Sequence, residues 1–262
     1  MKGRSGAWLL AASVGNLIFL YLPIAVLIVY SFNAAKLATA WQGFSLDWYR
    51  LLARDHALAV ALWNSLLIAA ASTIIATALG VGAAIGLERL PQRRRAWMEA
   101  ALLAPLVMPE VMMGVSLLLL FVMSKVPLGL LTVTIGHAAF NLPLVLVVVR
   151  ARLRKLDPHL EEAARDLGAT PWQAFRRVTL PLLQPAIAGA ALLAFTVSLD
   201  DFLVTFFTAG PGATTLPLRA YSMIKTGISP EINALSAVLV IVSMALVGLS
   251  LAVQREVMRS EK

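Results

Sequence analysis

The chain has 262 residues, of which 60% are apolar and only 14% carry a charge, and its formal net charge is +8. Soluble globular domains are about 45–50% apolar and about 25% charged, so this composition indicates a protein of the lipid bilayer. The absence of cysteine excludes disulfides, thiolate metal sites and cysteine nucleophiles. The three histidines lack ligand spacing and no G-x-x-x-x-G-K-[ST] loop is present, so we predict no metal and no cofactor.

Six apolar segments are long enough to cross the hydrocarbon layer, which takes about 20 helical residues. Their predicted bounds are 7–31, 58–87, 97–123, 128–149, 186–209 and 234–253. The first follows two basic residues, as a secretory signal would, but its length and the five later spans favour a retained membrane helix. Between the first two spans, residues 44–55 predict a short surface helix capped by Ser45, or an ordinary loop with a helical turn.

Lysine and arginine are distributed unequally between the two sides of this predicted topology. Of the 22 basic residues, 16 lie on the side of the two termini and 6 lie on the other side. Because positive charge accumulates on cytoplasmic loops, both termini are predicted to be cytoplasmic. The same distribution accounts for the net positive charge without a nucleic-acid partner.

The longest predicted cytoplasmic segment, residues 150–185, contains signals for two short helices. Asp157 and Pro158 predict the N-cap and first turn of the first helix. Gly168 predicts its end after about two and a half to three turns.

The second short helix is predicted to begin at Pro171. Thr170 and Gln173 have the spacing of a capping box around this position. Pro181 and Pro185 predict the end of this helix and the start of the fifth span.

The same loop resembles a known family, the membrane subunits of binding-protein-dependent ABC importers. Their signature is E-A-A, three residues, G, nine residues, an isoleucine-like residue, any residue, and L-P. The chain matches it at Glu162, Ala163, Ala164, Gly168, Val178, Leu180 and Pro181. Val178 in place of the usual isoleucine is the single departure.

The resemblance implies an all-α permease with a coupling helix in residues 162–168, which docks into a groove on a separate ATP-hydrolysing subunit. Small alanines permit close approach, glycine permits the turn, and a glutamate can pair with a basic group on the partner. The predicted ATPase-coupling residues are Glu161, Glu162, Ala163, Ala164, Gly168, Leu180 and Pro181. The alternative is a solvated amphipathic hairpin that only connects two spans.

Three carboxyl groups lie within predicted spans, Glu110 in the third and Asp200 and Asp201 in the fifth. At 1.5 Å per residue, both positions lie roughly 20 Å from the cytoplasmic ends of straight helices, so we predict that they line one substrate path. A charge in hydrocarbon is costly and usually faces a water-filled path or a partner. Adjacent helical residues point about 100° apart, so the two aspartates cannot both face the path.

Pro105 and Pro109 interrupt the third span just before its acid, as in the broken helices of transport sites. The alternative is a bent structural helix whose acid is hydrogen-bonded internally. In the fourth span, His137, Asn141 and Pro143 are predicted to interrupt the helix, with polar side chains that bond to neighbouring helices. Asn64 is predicted to do the same from the second span, whereas Tyr221 and Trp63 could stack on an ammonium group.

Anionic groups along a path suit a small cationic solute. The stretches PLVMPE, SLDDFLVTFF and residues 210–236 resemble the polyamine branch of the family, especially putrescine importers. Other branches also carry an acid in the fifth span, so an aspartate that gates or packs remains an alternative.

We therefore predict a single transmembrane permease domain over residues 1–262, in a bacterial inner membrane and without catalytic activity of its own. The resemblance implies as partners ABC ATPase subunits, a second homologous permease subunit and an external solute-binding protein. The alternatives are an ABC permease for a different small solute and an ion-coupled secondary carrier with proton sites at the same acids. An intramembrane enzyme is excluded because no nucleophile–base pair or metal cluster is present.

Overall fold

The computed structural model describes residues 3–35, 40–157, 159–226 and 230–260, and its elements are helices. In chain order they are α1 (Gly3–Tyr30), α2 (Asp47–Arg54), α3 (His56–Glu88), α4 (Gln92–Val107), α5 (Glu110–Met123), α6 (Leu130–Leu153), α7 (His159–Asp166), α8 (Pro171–Ala174), a π-helical turn (Phe175–Thr179), α9 (Leu180–Asp200), α10 (Leu203–Thr208), α11 (Leu216–Thr226) and α12 (Pro230–Ser260).

Four helices of the described residues are long and apolar enough to cross a membrane: Leu10–Tyr30, His56–Glu88, Leu130–Leu153 and Pro171–Asp200. The pair α4 and α5 passes the same test when counted together, which gives up to five. Long apolar runs become helices because a backbone in lipid must satisfy its own hydrogen bonds. Within α12, the described residues include a shorter apolar stretch, Pro230–Ala245, so the sixth crossing stays a prediction.

The third predicted span, 97–123, is interrupted, as its prolines predicted. It divides into α4 and α5, whose axes are bent by 106°. Pro109 is the cause, because a residue before proline avoids the helical conformation, and Met108 is extended with a ψ of 141°. Pro105, which was also predicted to interrupt, lies inside α4. The bend removes the straight-helix basis for placing Glu110 at the depth of the aspartates.

The fifth predicted span, 186–209, is wrong at both ends. Its helix stops at Asp200, and α10 is a separate element. At the other end the helix runs without interruption from Pro171, so Pro181 and Pro185 do not end it. The Leu180 N–H donates to the Phe175 carbonyl five residues earlier, and this widened π turn leads the helix into the prolines.

The predicted interruption of the fourth span is also wrong. Helix α6 continues past His137, Asn141 and Pro143, with the proline inside it. Proline within a membrane helix is tolerated where neighbouring groups and small local adjustments satisfy the backbone.

The chain divides into two compact units, Met1–Ala59 with Arg219–Ala245, and Val60–Leu218 with Leu246–Lys262. In the first unit the predicted short helix is present as α2. Its N-cap is Leu46, one residue after Ser45, which was predicted for this position. Ser45 Oγ nevertheless accepts a hydrogen bond from the Asp47 N–H at 3.0 Å.

The core of the second unit lies where α3, α6 and α9 pack together. Its fully buried residues are Ala76, Ala84, Leu87, Val145, Leu146, Val149, Ala190 and Ala194. A Cβ atom on Gly80 would lie 2.8 Å from Val145, so the glycine sets the close approach of α3 to α6. Small residues at such positions let helices pack tightly in lipid.

Two further glycines position α10 in this unit. A Cβ atom on Gly114 of α5 would lie 2.6 Å from the Phe207 ring, and one on Gly136 of α6 would lie 2.8 Å from Val204. The short helix after the fifth-span break is therefore packed against both α5 and α6.

Candidate functional site

The predicted coupling segment folds as a helix, a left-handed glycine turn and a second helix. The Asp157 carboxylate accepts from the His159 N–H at 3.0 Å, as predicted for the N-cap of α7. Gly168 has a φ of +89°, which confirms the predicted turn. Helix α7 has 8 residues, slightly shorter than predicted, and Pro158 lies outside the described residues.

The capping box at the start of the second helix is confirmed. Thr170 Oγ1 accepts from the Gln173 N–H at 3.3 Å, and Gln173 Oε1 accepts from the Thr170 N–H at 2.9 Å. Both short helices therefore begin where local hydrogen bonds specify.

The two glutamates of the coupling motif differ in their surroundings. Glu161 accepts hydrogen bonds from Arg165 at 2.9 Å and from the Thr179 hydroxyl at 3.2 Å, which joins α7 to the π turn. Glu162 is exposed, and its carboxylate lies 2.9 Å from His159 Nδ1. The bond to Glu162 and the nearby Asp157 charge raise the pKa of the exposed His159. Glu162 is the glutamate that remains accessible to another protein.

The other predicted coupling residues lie along the same hairpin. Ala163 and Gly168 are exposed and Ala164 is half-buried. Leu180 is half-buried and Pro181 is exposed, both in the first turn of α9. An exposed alanine, glycine and proline leave the backbone open to close approach.

Two apolar side chains at the tip of the hairpin were missed in the sequence. Leu167 is 90% exposed and Trp172 is 67% exposed, on either side of the turn at residues 168–171. Neighbouring large apolar side chains at such exposure form a candidate contact surface for another protein. The sequence signal was present, since a leucine precedes Gly168 and a tryptophan follows it by four residues in a loop rich in charge.

Behind the hairpin, ion pairs join the ends of α3, α4 and α6. Glu88 binds Arg150 at 2.8 Å, Arg154 at 3.1 Å and Arg95 at 3.1 Å, and Arg150 also binds Glu99. A cavity of about 510 Å³ separates this network from the inner face of α7. The network was not predicted, because its members are far apart in sequence.

The three membrane carboxyls fall into two environments. Glu110 is exposed at the first residue of α5, and Asp200 is exposed at the last residue of α9. The Asp201 side chain is only 7% exposed. The two aspartates face different surroundings, as predicted, but the reason is the end of α9 between them and not the geometry of one continuous helix.

Asp201 belongs to a buried polar cluster with His137 of α6. Its Oδ2 lies 3.0 Å from His137 Nε2 and accepts from the Thr205 N–H at 2.9 Å. His137 Nδ1 lies 2.7 Å from Ser198 Oγ, which lies 3.1 Å from Ser72 Oγ of α3. The predicted role of His137 as a hydrogen-bond partner between helices is confirmed.

The remaining polar predictions have mixed outcomes. Asn64 donates to the carbonyls of Gly212 and Thr214, both at 3.0 Å, so its partner is a loop and not a helix. The side-chain amide of Asn141 is buried and has no hydrogen-bond partner among the described residues. The Tyr221 ring already lies 5.5 Å from a cation of the chain, Lys225 Nζ.

Comparison with proteins of known sequence shows extensive similarity. The putrescine transport system permease protein PotI of Escherichia coli (strain K12) is 45% identical over 248 residues, 92% of this chain and 88% of that protein. The spermidine/putrescine transport system permease protein PotC of the same strain is 40% identical over 238 residues, 91% of this chain and 90% of that protein.

A solved structure shares the fold. A chain of a bacterial ABC transporter involved in the import of alginate superposes with a TM-score of 0.78 at 18% identity, covering 97% of this chain and 95% of that one. Residues 76–259 match the model of a family of binding-protein-dependent transport proteins. The chain therefore belongs to the family of binding-protein-dependent transport system inner membrane components.

Proposed function

We propose that this chain is the membrane subunit that forms the path for a polyamine, with putrescine as the first candidate, in an ATP-driven importer. The observation that carries the proposal is its 45% identity to PotI over nearly the whole of both chains. The 40% identity to PotC supports the wider class of short aliphatic amines.

The hairpin of α7 and α8 is proposed to dock on an ABC ATPase subunit. Its outer surface combines the exposed Glu162 and Ala163 with the apolar side chains of Leu167 and Trp172. The hydrogen bonds of Glu161 attach α7 to the start of α9, so a displacement of the hairpin is passed to that helix. Closure of the ATPase subunits on ATP would drive that displacement.

The proposed path carries Glu110 and Asp200, because their carboxylates are exposed at membrane helix ends. Ammonium groups of a polyamine suit such groups by charge. Asp201 contributes to the path indirectly, since its own carboxylate is bound to His137.

The proposed assembly contains six crossings, with α12 as the sixth and both termini in the cytoplasm of a bacterium. Helix α12 spans 31 residues, which is long enough for a crossing. The chain would act as one permease domain, paired with a second homologous permease, two ATPase subunits and an external solute-binding protein. Solute selectivity would reside chiefly in the binding protein.

The test is ATP hydrolysis by the reconstituted complex in the presence of a panel of solute-loaded binding proteins. We expect stimulation by a putrescine- or spermidine-loaded binding protein, and none by binding proteins loaded with a sugar or a neutral amino acid. Asp200→Asn should slow polyamine uptake by about two- to tenfold through loss of the path charge, with unchanged capture of solute by the binding protein.

Two results would contradict the proposal. One is stimulation by a sugar- or amino-acid-loaded binding protein without stimulation by a polyamine-loaded one. The other is uptake driven by an ion gradient in the absence of ATP, which would favour a secondary carrier.

A further inference from the structure

The two breaks in the membrane helices differ in their local sequence. Pro109 accounts for the break between α4 and α5. Residues 195–209, which contain the break between α9 and α10, include no proline and no glycine. Sharp interruptions of helices usually occur at such residues. The break at Asp201 therefore depends on the hydrogen bonds of the Asp201 carboxylate and on the groups that hold this carboxylate in place.

One of the groups that hold the Asp201 carboxylate is His137 of α6. Its Nε2 lies 3.0 Å from Asp201 Oδ2, and the same oxygen accepts from the Thr205 N–H and hydroxyl, which begin α10. The Asp201 carboxylate thus serves as a cap for α10 while it is paired with the imidazole. In an uninterrupted helix the Thr205 N–H would donate to the Asp201 backbone carbonyl. The Asp201 carboxylate would then lose this donor.

The orientation of the His137 ring is held from its other side. Its Nδ1 lies 2.7 Å from Ser198 Oγ, and Ser198 in turn lies 3.1 Å from Ser72 of α3. Ring, carboxylate and hydroxyls are all buried, so a broken pair would leave polar groups without partners in a membrane helix bundle. The contacts of His137 with Asp201 and with Ser198 therefore depend on each other.

The break determines what is presented at the end of α9. The last four carbonyls of a helix have no helical N–H partner, and this end carries the negative pole of the helix dipole. Asp200 is the last residue of α9 and is exposed. Its carboxylate and the helix end therefore combine into one site of negative potential, as in the broken helices of transporters that coordinate cations.

We propose that His137 is a positioning residue. By binding Asp201, it keeps the helix interrupted after Asp200, so that Asp200 and the carbonyl end of α9 together receive a cationic group. The identity of that group as an ammonium of a polyamine rests on the proposed function, whereas the positioning itself does not.

The test measures the accessibility of position 200 without any transported solute. Asp200→Cys is introduced into the chain, which has no cysteine of its own, and its reaction with a water-soluble maleimide is followed in the assembled complex. Adding His137→Leu should slow the labelling about tenfold, because the break closes when the buried pair is lost. Adding His137→Gln, which keeps a donor near the Nε2 position, should restore much of the rate.

Asn141→Leu is the matched control. Asn141 lies on α6 one turn after His137 and is equally buried, but its side chain makes no hydrogen bond in the described structure. Its replacement should leave the labelling rate unchanged. Equal slowing by Asn141→Leu would mean that general packing of α6 controls the site, and the proposal would fall.

If His137→Leu does not reach the membrane, Asp201→Ala interrupts the same contact from the other side. The reference is the labelling rate of Asp200→Cys without a second substitution. The proposal is overturned if Asp201→Ala and His137→Leu both label at this rate. If His137→Leu cannot be obtained, the same result for Asp201→Ala alone overturns it. A transport complex that carries a different solute but shows the expected labelling pattern contradicts only the proposed substrate.

Discussion

At the residue scale, the acids of this chain differ in whether the protein itself neutralises them. Asp201 and Asp200 are neighbours in sequence, yet one is paired with a buried imidazole and the other is exposed. Glu161 and Glu162 show the same division, with one bound to Arg165 and Thr179 and the other on the surface. In each pair the exposed acid is the one available to a solute or a partner.

Asp55 is a neutralised acid outside the membrane helices, and its contacts predict how the stability of the protein depends on pH. Its carboxylate binds Arg219 at 3.1 Å and accepts from the N–H groups of Ala57 and Leu58 at the start of α3. Burial acts to raise the pKa of Asp55, but Arg219 and the backbone donors together hold it below its ordinary value. The charged form is therefore favoured by folding.

We expect the stabilisation from Asp55 to be complete above its ordinary pKa and to be lost as the pH falls through the lowered one. Asp55→Asn should destabilise the protein at neutral pH by about 1–2 kcal/mol and reduce the loss of stability on acidification. Thermal unfolding of the detergent-solubilised protein between neutral and acidic pH measures both effects.

The control for this prediction is Asp47→Asn. Asp47 forms an ion pair with Arg50 in which both side chains are more than 70% exposed, so its removal should change stability by at most about 0.5 kcal/mol. If the two variants had equal effects, the Asp55–Arg219 pair would contribute no more than a surface ion pair.

At the element scale, short-range signals and long-range contacts produce different kinds of helix ends. Helix α4 ends before a proline, and α7 ends at a glycine. Helix α8 begins at a capping box. The end of α9 lies at a contact with a histidine on another helix, on which we propose that it depends. Elements of the first kind should withstand changes elsewhere in the protein better than the second kind.

The glycine turn after α7 allows a prediction about a helix end that is set by its own sequence. Gly168→Val should strain the hairpin by about 1–2 kcal/mol, because a branched side chain is disfavoured at a φ of +89°. If the hairpin docks on an ATPase subunit, the variant should insert into the membrane normally but should uncouple ATP hydrolysis from uptake. Both rates are measured in proteoliposomes, and Glu162→Lys should act in the same direction.

Gly86→Val serves as the control for this substitution. Its side chain would also enter open space, but Gly86 lies inside α3 and its φ is not positive. Unimpaired coupling in Gly168→Val, at normal membrane levels, would remove the coupling role from the hairpin.

At the scale of the whole molecule, the placement of basic residues along the chain predicts its topology. The excess of 16 basic residues over 6 predicts that the hairpin is cytoplasmic and that the segment between α10 and α11 is outside. This assignment agrees with the proposed docking of ATPase subunits and of a binding protein on opposite faces.

Single cysteines provide the test, since the chain has none. Pro211→Cys, in the exposed turn before α11, should react with a membrane-impermeant reagent added to intact cells. Arg177→Cys, in the exposed π turn, should react only after permeabilisation. The opposite pattern would place both termini outside and would contradict the proposed assembly.

Much of this protein follows from its sequence alone. Apolar runs predict the helix at 58–87 to within two residues and the one at 128–149 to within four, because lipid leaves a helix as the means of satisfying the backbone. Asp157, Gly168 and Thr170 determine the hairpin through hydrogen bonds within a few residues of each other. Interactions between residues that are close in sequence can be predicted from the sequence alone.

Only the tertiary structure decided which acids are exposed and where the fifth span is interrupted. The partner of Asp201 lies 64 positions earlier in the chain, on α6, whose approach to α10 is set by close packing at Gly136. The π turn that carries the helix through Pro181 likewise has no mark in the sequence. A contact between distant residues has an energy only after the helices are packed, so no pattern of neighbours along the chain could have indicated it.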